Sequence, residues 1–130
     1  MKKILILLIL VGTINIIQAQ VTFVSSSSDV CLKEKLDKEF KVCTLTYFDV
    51  LFTLPSEENM ITVNSEKGKY TYYVQERQVA SDKEAYFYFC VDTKGGKISF
   101  VINLENQTIT TIQQTYELIT RVTYNIDRAF

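Results

Sequence analysis

Two runs of alternating side chains flank a glycine-rich turn between Ala85 and Leu104, and no other stretch constrains the fold as strongly. In the first run Phe87, Phe89 and Val91 alternate with Tyr86, Tyr88 and Cys90; in the second Ile98, Phe100, Ile102 and Leu104 alternate with Ser99, Val101 and Asn103. Period-two alternation of aromatic and β-branched residues about Gly95-Gly96 is the signature of a half-buried β-hairpin. A loop over Thr93–Gly96 sets Val91 opposite Ile98, Phe89 opposite Phe100 and Phe87 opposite Ile102. Cys90, Tyr88 and Tyr86 then oppose Ser99, Val101 and Asn103. An odd-length loop would set apolar against polar positions, so the even one is expected, with phenylalanines inside. The same register turns Tyr86, Tyr88 and Val101 outward, as an aromatic patch of the kind that marks interaction surfaces.

The first nineteen residues read differently. Met1-Lys2-Lys3 is a basic start, Ile4–Val11 an unbroken apolar run, and Ile17-Gln18-Ala19 a cleavage site before Gln20. This is the grammar of a secretory signal peptide. Gly12, Thr13 and Asn15 cut the apolar run short of the roughly 20 residues a spanning helix requires, so no stable membrane span is expected after cleavage. Residues 20–130 then form a single exported all-β domain, secreted or periplasmic. Loss of Lys2 and Lys3 leaves twelve basic against fifteen acidic residues, a balance near −3, with the basic ones scattered singly among the acids. A nucleic-acid partner would require a basic stripe or patch, and none is present.

Of three cysteines, one must stay unpaired or pair between chains. The segment 29–43 decides which. Leu32, Leu36 and Phe40 recur at helical spacing, but a helix would hold Cys31 and Cys43 about 18 Å apart. A hairpin turning about Asp37 places them directly opposite, within reach of a disulfide. Because strands follow throughout, the hairpin is the preferred reading. Cys90, inside the central hairpin, is expected to behave as a small buried hydrophobe.

The remaining mature chain alternates strand and turn. Val21–Val24 opens as a short strand before the polar break Ser25–Ser28; Phe48, Val50, Phe52 and Leu54 share one face before Pro55 stops the run. Met60–Val63 and Tyr70–Gln75 follow, then the central hairpin. Next come a turn at Glu105-Asn106 setting Ile102 opposite Ile109, and a last strand over Leu118–Ile126 with Val122, Tyr124 and Ile126 on one face. Links this short make successive strands antiparallel neighbours. The expected fold is an up-and-down meander of about eight to ten strands, rolled into a small barrel or strongly curved sheet.

Phe48-Asp-Val-Leu-Phe52, Tyr70-Thr-Tyr-Tyr-Val74, the Asp92–Gly96 turn and Tyr124-Asn-Ile126 together resemble a group of small secreted bacterial β-meander proteins of no assigned activity. A more distant resemblance is to lipocalin-like barrels, although the chain has no Trp and so lacks the Gly-x-Trp start typical of lipocalins. The likeness implies a fold and transfers no site residue.

The chain contains no histidine. Ser-His and Cys-His nucleophile pairs, imidazole acid–base chemistry near neutral pH and His-ligated zinc are therefore excluded. No catalytic, cofactor or metal residues are assigned: Glu57-Glu58 or Asp49 with Glu76 read as solvated charges, and Asp92 as a turn residue. The expected role is a non-enzymatic exported binding or surface-interaction protein whose partner is a protein or small apolar ligand. The alternative is a carrier holding a small apolar ligand inside the barrel, and a small hydrolase is the remaining class.

Overall fold

In a computed structural model, residues 20–40, 42–82 and 84–130 are described; the expected signal peptide, residues 1–19, lies outside them. Nine strands follow in order: β1 (Gln20–Glu34), β2 (Val42–Thr46), β3 (Val50–Pro55), β4 (Met60–Ser65), β5 (Gly68–Val79), β6 (Ala85–Val91), β7 (Lys97–Asn103), β8 (Thr108–Thr115) and β9 (Leu118–Ala129). From β3 to β9 each strand pairs antiparallel with the next, and β9 returns to pair with β1. With β3 on its other edge, β1 closes an eight-stranded barrel. Strand number of this size gives an interior just wide enough for side chains to fill.

The long strand β1 makes closure possible. Along one edge it pairs with β9 from Phe23 to Glu34. Along the other it pairs first with β3, over Gln20–Ser25, and then with β2, over Ser28–Leu32. The serines expected to break the strand run through its middle instead, because each buried hydroxyl finds a partner. Ser28 Oγ lies 2.8 Å from Thr46 Oγ1, and Ser25 Oγ donates to the Ser27 carbonyl at 3.0 Å. Ser26 and Asp127 are the two residues that drop out of the β1–β9 register, and Ser26 Oγ donates to Asp127 Oδ2 at 2.6 Å. These bulges sharpen local twist and let the pair wrap the barrel.

The 29–43 segment is a hairpin, and Cys31 faces Cys43 in a disulfide. Both lie on the outer face, the face of Arg121, which opposes Cys31 on β9. Phe40 folds back over this region, with the Arg121 guanidinium 4.2 Å and the Lys33 ammonium 5.1 Å from its ring centre. Among the described residues, β2 is the one strand with an unpaired edge.

The core is built from Phe23, Val50, Phe52, Ile61, Tyr88, Cys90, Ile98, Phe100, Ile102 and Ile109. The even-numbered apolar face of β3 is inward as expected, and so is the Val122–Tyr124–Ile126 face of β9. Small inward serines on β1 leave room for Phe52 and Tyr124 to meet edge-on, ring centres 4.8 Å apart. A second edge-on pair joins Tyr72 and Phe100 at 5.3 Å. Such contacts add about 0.5–1.5 kcal/mol beyond area burial.

The central hairpin departs from expectation. Its loop is odd, Asp92–Gly96, with Val91 opposite Lys97, so Cys90 opposes Ile98, Tyr88 opposes Phe100 and Tyr86 opposes Ile102. The cause is Asp92. Its Oδ1 accepts from the backbone N–H groups of Lys94 and Gly96, both at 2.8 Å, while its own N–H donates to the Gly96 carbonyl. Side-chain capping of this kind draws Asp92 into the turn. Gly95 sits at φ +87°, a conformation that favours glycine, and a Cβ on Gly96 would lie 2.8 Å from Asp92 Oδ2 and force the capping carboxylate to shift. Adding Asp92 to the loop slips β6 by one residue, which exchanges its two faces. The tyrosines go in and the phenylalanines go out.

Replacing Cys31 and Cys43 together by serine is expected to cost about 3 kcal/mol, since the bridge closes a short loop. Thermal unfolding would then fall by roughly 10–20 °C for a domain of this size.

Candidate functional site

Of the spaces that this architecture forms among the described residues, three bear on the expected roles. The first is inside the barrel: a cavity of about 130 Å³ between Phe52, Tyr72, Phe100, Thr111, Val122 and Tyr124. This is well below the ~300–1,000 Å³ of ordinary ligand pockets.

The second is a cup of about 380 Å³ at the barrel mouth where β1 begins. Phe23, Leu54, Tyr86, Ile102 and Leu104 form its apolar wall, and Glu58, Arg77 and Tyr88 its polar side. A bulge at Gln75 makes the polar side possible. Before it Tyr72 and Val74 point inward; after it the register shifts, and Arg77 comes opposite Tyr88. Glu58 reaches over from the β3–β4 turn, held in the left-handed region at φ 53°, a conformation costing roughly 1–2 kcal/mol. Its Oε1 accepts from the Tyr88 hydroxyl at 2.6 Å and forms an ion pair with Arg77 Nε at 3.1 Å. One oxygen thus satisfies a buried phenol and neutralises a guanidinium. Burial, and then the bond to Glu58, hold the Tyr88 phenol far above its ordinary pKa.

The third is an open groove of about 840 Å³ on the outer wall across β5 to β8. It exists because of the two irregularities already described. The bulge directs both Gln75 and Glu76 to its margin, and the odd turn brings Phe89 to the surface. Phe89, Ser99 and Ile112 form one cross-strand row on the outer face. Phe89 and Ile112 are each 39 % exposed. At the groove's end stands Tyr116, 92 % exposed, in the tight β8–β9 turn at φ 54°. Gln114 Nε2 donates to the Tyr116 carbonyl at 3.3 Å. A bulky residue in the left-handed region is uncommon and signals a site where strain has been accommodated.

The expected patch of Tyr86, Tyr88 and Val101 does not form. Tyr88 is 1 % exposed in the core and Tyr86 packs partly buried against it, whereas Val101 pairs with Phe87 on the outer face. An aromatic surface does occur on this hairpin, but it is carried by the other set of β6 residues. The sequence signal that distinguishes the two is Asp92 before Gly95-Gly96, an acceptor placed to cap the turn and lengthen it. No comparable signal marks Glu58 and Arg77, which meet only through the fold.

Cys90 is the free thiol, buried in the core, and burial pushes its pKa up to about 11. Among the described residues no three of Cys, Asp and Glu converge as a metal site, and no helix is long and apolar enough to cross a membrane. No family model matches the chain, and neither the curated proteins nor the solved structures contain a match.

Tyr88→Phe is expected to destabilise the fold by about 1.5 kcal/mol through loss of a hydrogen bond to a charged group. Because the folded pKa of Tyr88 lies above the unfolded value near 10, its contribution is intact below pH 10 and is lost as pH rises further. Urea midpoints at pH 8 and pH 10.5 should therefore fall more for the wild type than for Tyr88→Phe. Cys90 is expected to resist a thiol reagent at pH 8 in the native state and to react at once in denaturant.

Proposed function

We propose that the chain is an exported, non-enzymatic binding module that engages its partner through the outer groove across β5–β8. One observation carries this reading: a barrel that could have buried its phenylalanines exposes Phe89 beside Ile112 and Tyr116 in a groove large enough for a ligand. Exposed aromatic surface rimmed by polar groups is a mark of interaction sites. Support for a non-catalytic role comes from the chemistry of the side chains. The chain has no histidine; the Cys90 thiol is buried and protonated near neutral pH; Glu58 is committed to Tyr88 and Arg77. Support for export comes from the apolar leader and from the Cys31–Cys43 disulfide, a bond that persists in oxidising compartments.

The mouth cup supports a second reading, a carrier of a small apolar ligand. Its volume of about 380 Å³ is within the range of ligand pockets, whereas the interior cavity of about 130 Å³ is too small for that role. Under this reading a neutral apolar fluorophore such as N-phenyl-1-naphthylamine binds the wild type and is lost on Ile102→Trp.

The principal reading is tested on a biosensor surface carrying the mature chain, exposed to the extracellular and envelope fraction of its source cells. Wild type should retain material and Phe89→Asp should lose at least nine-tenths of it, with unchanged melting temperature. Equal retention by both, or by neither, overturns the groove as the binding surface.

A further inference from the structure

We infer that the outer groove is a carbohydrate site for a neutral polysaccharide; the inference rests on the groove being the binding surface. Three features of the groove converge on this ligand class.

The first is charge. Glu76 and Lys97 line the groove with one charge of each sign, so the site is balanced and offers nothing to a polyanion such as nucleic acid or to a polycation. A neutral ligand is the complementary one.

The second is area. Phe89 and Ile112 at 39 % exposure and Tyr116 at 92 % together offer roughly 300–400 Å², taking ~150–250 Å² for a whole aromatic side chain. That apolar surface is adequate for a few rings of a polymer, each of which contributes little and gains by repetition along the chain.

The third is the kind of polar group. Gln75 and Gln114 bring amides, each able to donate and accept, and Glu76 adds an acceptor and Lys97 a donor. A pyranose ring has a C–H face that packs on an aromatic plane and a perimeter of hydroxyls, each both donor and acceptor. Aromatic planes bordered by amides and single charges match that surface. Gln114 Nε2 already donates to the Tyr116 carbonyl and Glu76 Oε2 accepts from Gln78 Nε2, so the remaining donor and acceptor positions are the ones open to a ligand's hydroxyls.

Tyr116 is the aromatic platform most open to the ligand, and its backbone supports this role. A left-handed residue in a two-residue turn is ordinarily Gly, Asn or Asp. Here the strain is retained and the ring stands almost wholly in water.

The test is affinity electrophoresis of the mature, disulfide-intact chain through gels containing mixed-linkage β-glucan, xylan, galactomannan or polygalacturonate. Retardation is expected with at least one of the three neutral polymers and not with polygalacturonate. Tyr116→Asn keeps a residue that tolerates the turn but removes the ring; it should weaken retardation at least tenfold, as should Phe89→Ala, with melting temperatures within a few degrees of wild type. No retardation by any neutral polymer, or retardation untouched by both variants, overturns the inference. The biosensor experiment separates this failure from that of the binding reading. Phe89-dependent retention that survives periodate and is abolished by protease identifies a protein partner, overturning the carbohydrate assignment while leaving the groove as the binding surface. Retention abolished by periodate supports it.

Discussion

Closure of the barrel depends on the seam between β1 and β9. Every other pairing joins neighbours in sequence or nearly so, and each could form in an open sheet; this one joins the first and last strands of the described residues. It removes the two edges that an open meander would expose. Its length matters too, since β1 must serve β9 on one side while dividing its other side between β3 and β2. Small buried hydroxyl side chains at Ser25 and Ser28 permit this. They let the strand bend through the middle of the barrel without leaving polar atoms unpaired, and they yield space to Phe52 and Tyr124.

Much of this was legible from residues. Alternation alone located the strands, because burying one face and wetting the other imposes period two. Short links made them antiparallel neighbours. Cys31 and Cys43 were pairable only in a hairpin, and that geometry outweighed the helical spacing of Leu32, Leu36 and Phe40. What alternation does not supply is which face goes inside when both are apolar. In β6 either set, Phe87, Phe89, Val91 or Tyr86, Tyr88, Cys90, can be buried, the second once Glu58 accepts from the Tyr88 hydroxyl, so turn length decides. Turn length was in turn decided by two hydrogen bonds to one Asp92 oxygen. The serine run misled for a related reason: a polar stretch reads as a break unless its hydroxyl partners are known, and those of Ser26 and Ser28 are distant in sequence. Glu58 and Arg77 were illegible because a bulge at Gln75 had to change the face on which Arg77 lies.

Both candidate surfaces therefore arise from irregularities. Without the bulge, Arg77 would point outward and Glu58 would have no cation to hold. Without the five-residue turn, Phe89 would be in the core and the outer wall would present tyrosines. The regular parts of the ladder supply rigidity, and the departures from regularity determine what the rigid wall displays. The interior, by contrast, is nearly filled by its own side chains, so the spaces of ligand size lie on the outer wall and at the mouth.

The sheet also acts as a partition between sulfur atoms. Cys31 and Cys43 lie on its outer side and Cys90 on its inner side, so in the closed barrel no thiolate can approach the bridge from within. Scrambling of the bridge by this third sulfur is thereby confined to the unfolded chain. Once shut, the barrel preserves whichever pairing let it close, and only the Cys31–Cys43 pairing is compatible with the seam.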